Sequence, residues 1–545
     1  MTKQGNGGIV IKCIVEKWKR FLRYVKKILL RSGKDCSCIP CAADKRQEKE
    51  KKAMRSSGIL MHISSLPGPY GIGTMGKQAF AFVDFLKKAG QSYWQILPLT
   101  PTGYGDSPYQ SCSIFAGNHY LIDLASLMEE GLLKAEEVDS IQWCYSESKV
   151  DFGTQYNNKL KVLRLAYDRF QGGEDFDAFC QENSSWLKDF ALFMAMKDCT
   201  GGKPWYEWPD PLKYRDPCAV SSAMAGMEQQ IRFYSFVQFL FHKQWNALHT
   251  YANNNGVQII GDVPIYVPRD SVEVWCNPEL FKLDEKLDPV EIAGCPPDAF
   301  SADGQLWGNP IYNWDMHKQT GFQWWIRRLA AAGQWYDVIR VDHFRGFEAY
   351  WAVPYGDTNA RGGRWVKGPD MDFIRAIKNG LPDLNMIAED LGYLTQEVMD
   401  LRDGSGFPGM KVLEFAFDSR EPSDYLPHTY TRNTVCYTGT HDNMTMRQWF
   451  ETCAPEVVAY AVEYMGLTEA EGLVWGTIRT AMASVSDMCI IQLQDYLNLG
   501  GEARMNFPGT MTDCNWTWRL QEGMIKSDLA EKVYNLTKLY ARLPE

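Results

Sequence analysis

No stretch of uninterrupted apolar residues reaches the roughly 20 needed to cross a bilayer. The apolar residues near the start are broken by Lys and Arg, which argues against a secretory signal. Fifteen cysteines are scattered without a repeated spacing, which excludes a disulfide framework and points to a reducing compartment. Metal signatures are equally scarce. There is no Asp-x-Asp-x-Asp-Gly loop and no Glu-x-x-His or His-Glu-x-x-His pair on a helix, and Cys36-x-Cys38-x-x-Cys41 has neither a histidine nor a fourth cysteine beside it. Beyond residue 53 positive charge is also in short supply, with 42 Lys and Arg against 62 Asp and Glu, a balance of −20. A body that acidic suits a neutral substrate and does not suit phosphate backbones, so nucleic acid is not an expected partner.

A chain of 545 residues exceeds what one hydrophobic core usually supports, so it implies several domains or a large barrel with insertions. Its 13% aromatic share is a weak pointer to flat ligands such as sugars or nucleobases. Residues 1–53 differ from the rest, with 15 Lys and Arg against 5 Asp and Glu. Within them Ile11, Ile14, Val15, Trp18, Leu22, Val25 and Leu29 recur at helical spacing among basic residues, which predicts a basic amphipathic helix. Three readings are open: contact of residues 11–29 with an anionic membrane, a transit peptide, or upstream sequence outside the working protein. The third is preferred, because Met54 stands just before the first core-like strand.

From Gly58 onward, short apolar runs alternate with helical patterns. Eight strands are expected, within residues 58–66, 93–99, 257–266, 338–347, 385–390, 409–417, 434–440 and 487–493. Residues 110–255 look like a mainly helical insertion whose aromatics serve packing, and residues 268–315 like a second, loop-rich one. This is the outline of an α/β fold, a (β/α)8 TIM barrel built on residues 54–545, and such barrels carry chemistry at the C-terminal ends of their strands.

The stretch Val338 to Phe347 runs from a buried-looking strand into charge. Arg340 and Asp342 share one face of it and can act on one ligand, although a surface ion-pair turn would read the same way. The other strands weigh against the turn. Asp262 ends the third, Asp342 the fourth and Glu389 the fifth, while His441-Asp442 follows the seventh. Acids gathered at one rim repel each other, so their convergence implies acid/base or nucleophilic chemistry, or a metal. Arg340 would repel a cation. Glycosyl transfer by a carboxylate pair is therefore preferred, with no metal and no cofactor expected.

The motifs Ser57-Gly-Ile-Leu-Met-His-Ile-Ser-Ser-Leu-Pro67, Gly105-Asp-Ser-Pro-Tyr-Gln110, Ile260-Gly-Asp-Val-Pro-Ile-Tyr266, Arg340-Val-Asp-His-Phe-Arg-Gly346, Ala388-Glu-Asp-Leu-Gly392, Gly439-Thr-His-Asp-Asn443 and Ala503-Arg-Met-Asn-Phe-Pro-Gly509 occur in that order. With them the chain resembles the amylomaltases, or 4-α-glucanotransferases, of glycoside hydrolase family 77 within the α-amylase superfamily. The resemblance spans almost everything after Met54. It implies retaining transfer of α-1,4-glucan segments to the 4-hydroxyl of an acceptor through a covalent glycosyl-aspartate. Asp342 would be the nucleophile, Glu389 the general acid and base, and Asp442 the third carboxylate, gripping sugar hydroxyls. It further implies substrate contacts from Tyr109, Asp262, Arg340 and His441, groove-bordering positions for Trp307, Gln305 and Asn506, and a secondary glucan contact at Tyr104. Residues 296–310 are the candidate lid.

The partners expected are maltooligosaccharides and starch- or glycogen-derived glucans, with cytoplasm preferred over plastid. The charges of Asp342 and Asp442 are expected to raise the pKa of Glu389, and Arg340 to hold Asp342 ionised. A hydrolase of the same superfamily, a non-catalytic glucan-binding protein and a membrane-associated scaffold are the alternatives.

Overall fold

The computed structural model describes residues 55–297, 301–392, 394–418 and 423–544, apart from the side chain of Tyr104. The basic leader, the Cys36 to Cys41 cluster and part of the candidate lid lie outside the described residues.

Eight parallel strands close on themselves in chain order: β1 (Ser56–Leu60), β2 (Tyr93–Gln95), β3 (Gln258–Val263), β4 (Val338–Val341), β5 (Met386–Ala388), β6 (Gly409–Val412), β7 (Thr434–Tyr437) and β8 (Met488–Gln492), which returns to β1. Seven fall inside the stretches expected from the sequence, and β1 begins two residues before its expected start at Gly58. Alternation along the strands separates two apolar sets. Leu60, Ile260, Val338, Ile387, Met410, Val412, Val435, Tyr437 and Ile490 pack together inside the barrel, where the Tyr437 hydroxyl reaches from β7 to the Gln95 side chain of β2 at 2.9 Å. Ile59, Ile339, Val341, Ala388, Cys436, Cys489 and Ile491 face the surrounding helices. Arg340 is in phase with Val338 and so points into the barrel.

Between β2 and β3 stands a helical block whose longest member, Glu228–Asn254, buries Phe233, Phe236, Val237, Leu240, Phe241, Trp245 and Leu248 along one stripe. Trp205 and Trp208 are buried as well, so these aromatics pack a core. Residues 268–315, read as loop-rich, instead supply two strands, Glu291–Cys295 and Gln305–Pro310. With Ala349–Pro354 and Arg364–Lys367 they form a four-stranded antiparallel sheet beside the barrel. Gly294 and Gly308 and the prolines at 296, 297 and 310 mask the alternation there.

The seam between β8 and β1 is tied from the C-terminal end. Arg542, fully buried, donates to the carbonyls of Ser56, Met482, Ser484 and Ser486 at 2.9 to 3.1 Å. Arg55 donates to Met482 and Ser484 from the other side.

Candidate active site

The register of β3 on β4 sets Asp262 directly beside Arg340, both pointing inward. Arg340 Nη1 donates to Asp262 Oδ2 at 2.6 Å and to Asp342 Oδ1 at 3.1 Å. The two acids differ in access. The Asp262 side chain is wholly enclosed, whereas that of Asp342 is 29% exposed to the groove above the strand ends. Asp262 therefore anchors Arg340 from below, and Asp342 is the acid of this pair with an open approach. Only Oδ2 of Asp262 is engaged by the protein, and its buried Oδ1 has no hydrogen-bond partner among the described residues, so one acceptor oxygen of the expected substrate contact is unused.

A second bond leaves Asp262 Oδ2. The Tyr109 hydroxyl lies 2.9 Å from Asp262 Oδ2 and 2.8 Å from His441 Nε2. An ionised Asp262 can only accept, so Tyr109 donates to it and His441 Nε2 carries the proton that Tyr109 accepts. Burial lowers the His441 pKa and keeps the ring neutral, consistent with that tautomer. The same Nε2 lies 3.4 Å from Asp442 Oδ2, on a side chain that is 42% exposed. A continuous polar chain thus runs from Asp342 through Arg340, Asp262, Tyr109 and His441 to Asp442, linking the ends of β4, β3 and β7. Tyr109 and His441 also stack, with ring centroids 5.2 Å apart.

Glu389 follows β5 and is held by backbone. His343 N–H donates to its Oε2 at 2.6 Å and Leu391 N–H to its Oε1 at 2.8 Å. His343 has φ 52° and ψ 48°, a left-handed conformation uncommon for a side chain with a Cβ, and this turn aims its N–H at Glu389. Its imidazole meets Trp307 edge-on at 4.8 Å. The contribution of His343 is therefore made by its main chain, which side-chain reasoning had no signal to find.

Burial is the leading cause of the raised pKa at both Asp342 and Glu389, and Arg340 opposes it at both. Glu389 adds to the upward push on Asp342, while Asp390 does so at Glu389. This corrects the expected cause at Glu389, which is low-polarity surroundings before any charge.

Asp442 has its own fixtures. Asn506 Nδ2 donates to Asp442 Oδ1 at 2.6 Å and Arg504 Nη2 to the Asp442 carbonyl at 3.0 Å. Asn506 therefore orients a carboxylate, a task the sequence did not assign to it. Trp307 donates through Nε1 to Gln305 Oε1 at 3.1 Å, on the antiparallel sheet, and through its contact with His343 it borders the Glu389 side of the site. The side chain of Tyr104 lies outside the described residues. Among those residues no cluster of three or more His, Cys, Asp or Glu side chains is arranged to hold a metal, and no helix is long and apolar enough to span a membrane.

Three acids at the ends of β4, β5 and β7, with a neutral histidine and a fixed guanidinium between two of them, can perform nucleophilic displacement assisted by proton transfer. The comparisons agree in kind. A family model described as 4-alpha-glucanotransferase matches residues 61–526. The 4-alpha-glucanotransferase of Clostridium butyricum is 48% identical over 486 residues, covering 88% of this chain and 100% of the relative. The 4-alpha-glucanotransferase of Solanum tuberosum, chloroplastic/amyloplastic by name, is 40% identical over 515 residues, covering 92% and 89%. Among solved structures, the amylomaltase from Streptococcus agalactiae in complex with acarbose superposes with a TM-score of 0.88 at 44% identity, covering 90% of this chain and 100% of that one.

Proposed function

The chain belongs to the 4-α-glucanotransferases of glycoside hydrolase family 77, and from that membership we propose that Asp342 is the nucleophile, Glu389 the general acid and base, and Asp442 the third carboxylate of a retaining transfer. The observation that carries the division of labour is the asymmetry around Arg340. Its guanidinium lies 3.1 Å from Asp342, while Glu389 is held by two backbone N–H groups. Arg340 favours charge at Asp342 and the two N–H groups favour it at Glu389, while burial raises both carboxyls, Asp342 included despite Arg340. The pair therefore shares a proton, and the retaining reaction requires that proton on Glu389. A protonated oxygen still accepts an N–H, so the backbone clamp and the proton coexist.

In the first half-reaction an Asp342 carboxylate oxygen attacks the anomeric carbon. The bond to the glycosidic oxygen breaks, and that oxygen leaves with the proton of Glu389. In the second, Glu389 takes the proton of an acceptor 4-hydroxyl, whose oxygen attacks the same carbon as the ester to Asp342 breaks. Two inversions return the α configuration. Tyr109, His441, Trp307, Gln305 and Asn506 line or order the groove in this reading, and Tyr104 is placed by resemblance alone. Arg340 and Asp262 hold the nucleophile in register.

The substrates are maltooligosaccharides and longer α-1,4-glucans. Maltotriose given as sole substrate yields glucose together with chains longer than maltotriose. Chromatography showing only shorter products, with new reducing ends matching bonds cleaved, would make the protein a hydrolase.

The same reading places the catalytic unit in residues 54–545 and the protein in the cytoplasm, on the strength of the scattered free thiols and a family match that starts at residue 61. The plastid-named plant relative makes the alternative specific. A chain starting at Met54 transfers at the full-length rate, and residues 1–53 fused to a fluorescent protein give a diffuse cytoplasmic signal in a plastid-bearing cell. Accumulation of the fusion in plastids or on membranes overturns the location, and loss of transfer on truncation overturns the boundary.

A further inference from the structure

The segment that follows β7, residues 438 to 446, carries His441 and Asp442, and it is gripped from both neighbouring strands. On one side, β8 leads into the helical turn Leu493–Tyr496, which holds Asp495 with no exposure to solvent. Asp495 Oδ2 accepts the Thr438 hydroxyl at 2.6 Å, and Oδ1 accepts the Met446 N–H at 2.8 Å. These two donors stand at the beginning and end of the segment. On the other side, β6 leads into Leu413–Phe415, where Glu414 Oε2 accepts the Met444 N–H at 3.3 Å. Gln492 of β8 adds a bond to the Met444 carbonyl at 3.3 Å. Space is as constrained as the hydrogen bonding, since a Cβ at Gly439 would stand 2.6 Å from Glu414 Oε1 and 2.8 Å from Gln492 Nε2.

We infer that Asp495 is a positioning residue for the transfer reaction: its carboxylate closes the 438–446 segment at both ends and so fixes where Asp442 and His441 stand. The inference rests on the role proposed above for Asp442. Burying a carboxylate with no side-chain cation beside it is costly, and both oxygens of Asp495 are spent on one segment. Burial raises Asp495 to about 6, so much of its charge is retained at neutral pH, where charge-assisted acceptance is strongest. The distance from Asp495 to the chemistry is bridged by a short, doubly tethered turn. Within that turn Asn443 Oδ1 accepts from both the N–H and the hydroxyl of Thr440 at 2.9 and 2.8 Å, so a shift at Thr438 is passed on to Asp442.

The test is a double-mutant cycle on the full chain, read as kcat for transfer from maltotriose and as acarbose affinity, with Asp495→Asn and Thr438→Val each combined with Asp442→Asn. Asp495→Asn should lower kcat by about 10- to 100-fold and weaken acarbose, with KM for maltotriose changing far less, since a displacement of about 1 Å at a catalytic group costs that much. In the Asp442→Asn background the same substitution should cost less than about threefold, because groups that act through one another are not additive. Thr438→Val removes one of the two tethers while leaving Asp495 in place, so it gives the cycle a second arm should Asp495→Asn fold poorly. Losses that multiply independently in both cycles overturn the inference. If Asp442→Asn alone leaves transfer near wild type, the reading of Asp442 itself fails, which is a distinguishable outcome.

Discussion

An Asp342→Asn variant transfers glucan more slowly than wild type by on the order of 10⁴-fold or more, and it melts no lower. The loss in rate follows from the chemistry, because an amide forms no ester with the anomeric carbon at a useful rate and carries no charge to meet the oxocarbenium-like transition state. Retained stability follows from the surroundings. Arg340 keeps its 2.6 Å partner Asp262, so no buried cation is left alone. Burial raises the Asp342 carboxyl, which means the folded site disfavours its charge, and a neutral side chain is spared that penalty. Chain lengthening from maltotriose and the thermal midpoint, measured on one preparation, check both halves. Transfer within about tenfold of wild type sinks the nucleophile assignment, whatever the melting temperature.

Glu389→Gln separates substrates by how badly they need an acid. With maltotriose the rate falls by about 10²- to 10⁴-fold, the usual worth of a positioned proton donor. With maltosyl fluoride, whose leaving group departs without a proton, formation of the glycosyl-enzyme continues and its breakdown does not, since no base remains to activate the acceptor. The peptide containing Asp342 therefore gains a maltosyl mass that can be read by mass spectrometry. Disturbance of the cradle formed by the His343 and Leu391 N–H groups would slow both donors alike, so the difference between them isolates the proton. Equal losses on both donors argue against the assignment.

The same pair of donors resolves the pH profile. Wild-type transfer falls on the alkaline side as Glu389 loses its proton and on the acidic side as Asp342 gains one. Burial raises both groups, so both limbs lie above the ordinary carboxylate value of about 4, and they belong to the pair jointly. In Glu389→Gln with the fluoride donor the alkaline limb disappears and the acidic limb stays.

The barrel was legible because its strands are short runs of Val, Ile, Leu and Met separated by amphipathic helices, a pattern that depends on local residues only. The acids were legible because strand ends are where alternation breaks into charge, as at Asp342 after Val341 and Glu389 after Ala388. What escaped depends on contacts between distant segments. Nothing near Asp262 says that its carboxylate will be sealed under Arg340 and Tyr109, and nothing near Asn506 says that it will face Asp442. The antiparallel sheet escaped because Gly294 and Gly308 interrupt its alternation. His343 could be recognised only from a backbone angle, since its imidazole is not the part that touches Glu389.

The seam at Arg542 bears on how the molecule is made. Its bond to the Ser56 carbonyl joins residues 486 positions apart, and the same side chain reaches the carbonyls of Met482, Ser484 and Ser486, the first two of them shared with Arg55. A ribosome delivers β1 long before β8, so through most of synthesis the first strand waits with one edge open to pairing with another chain, and Arg542 locks the seam only after β8 has closed it.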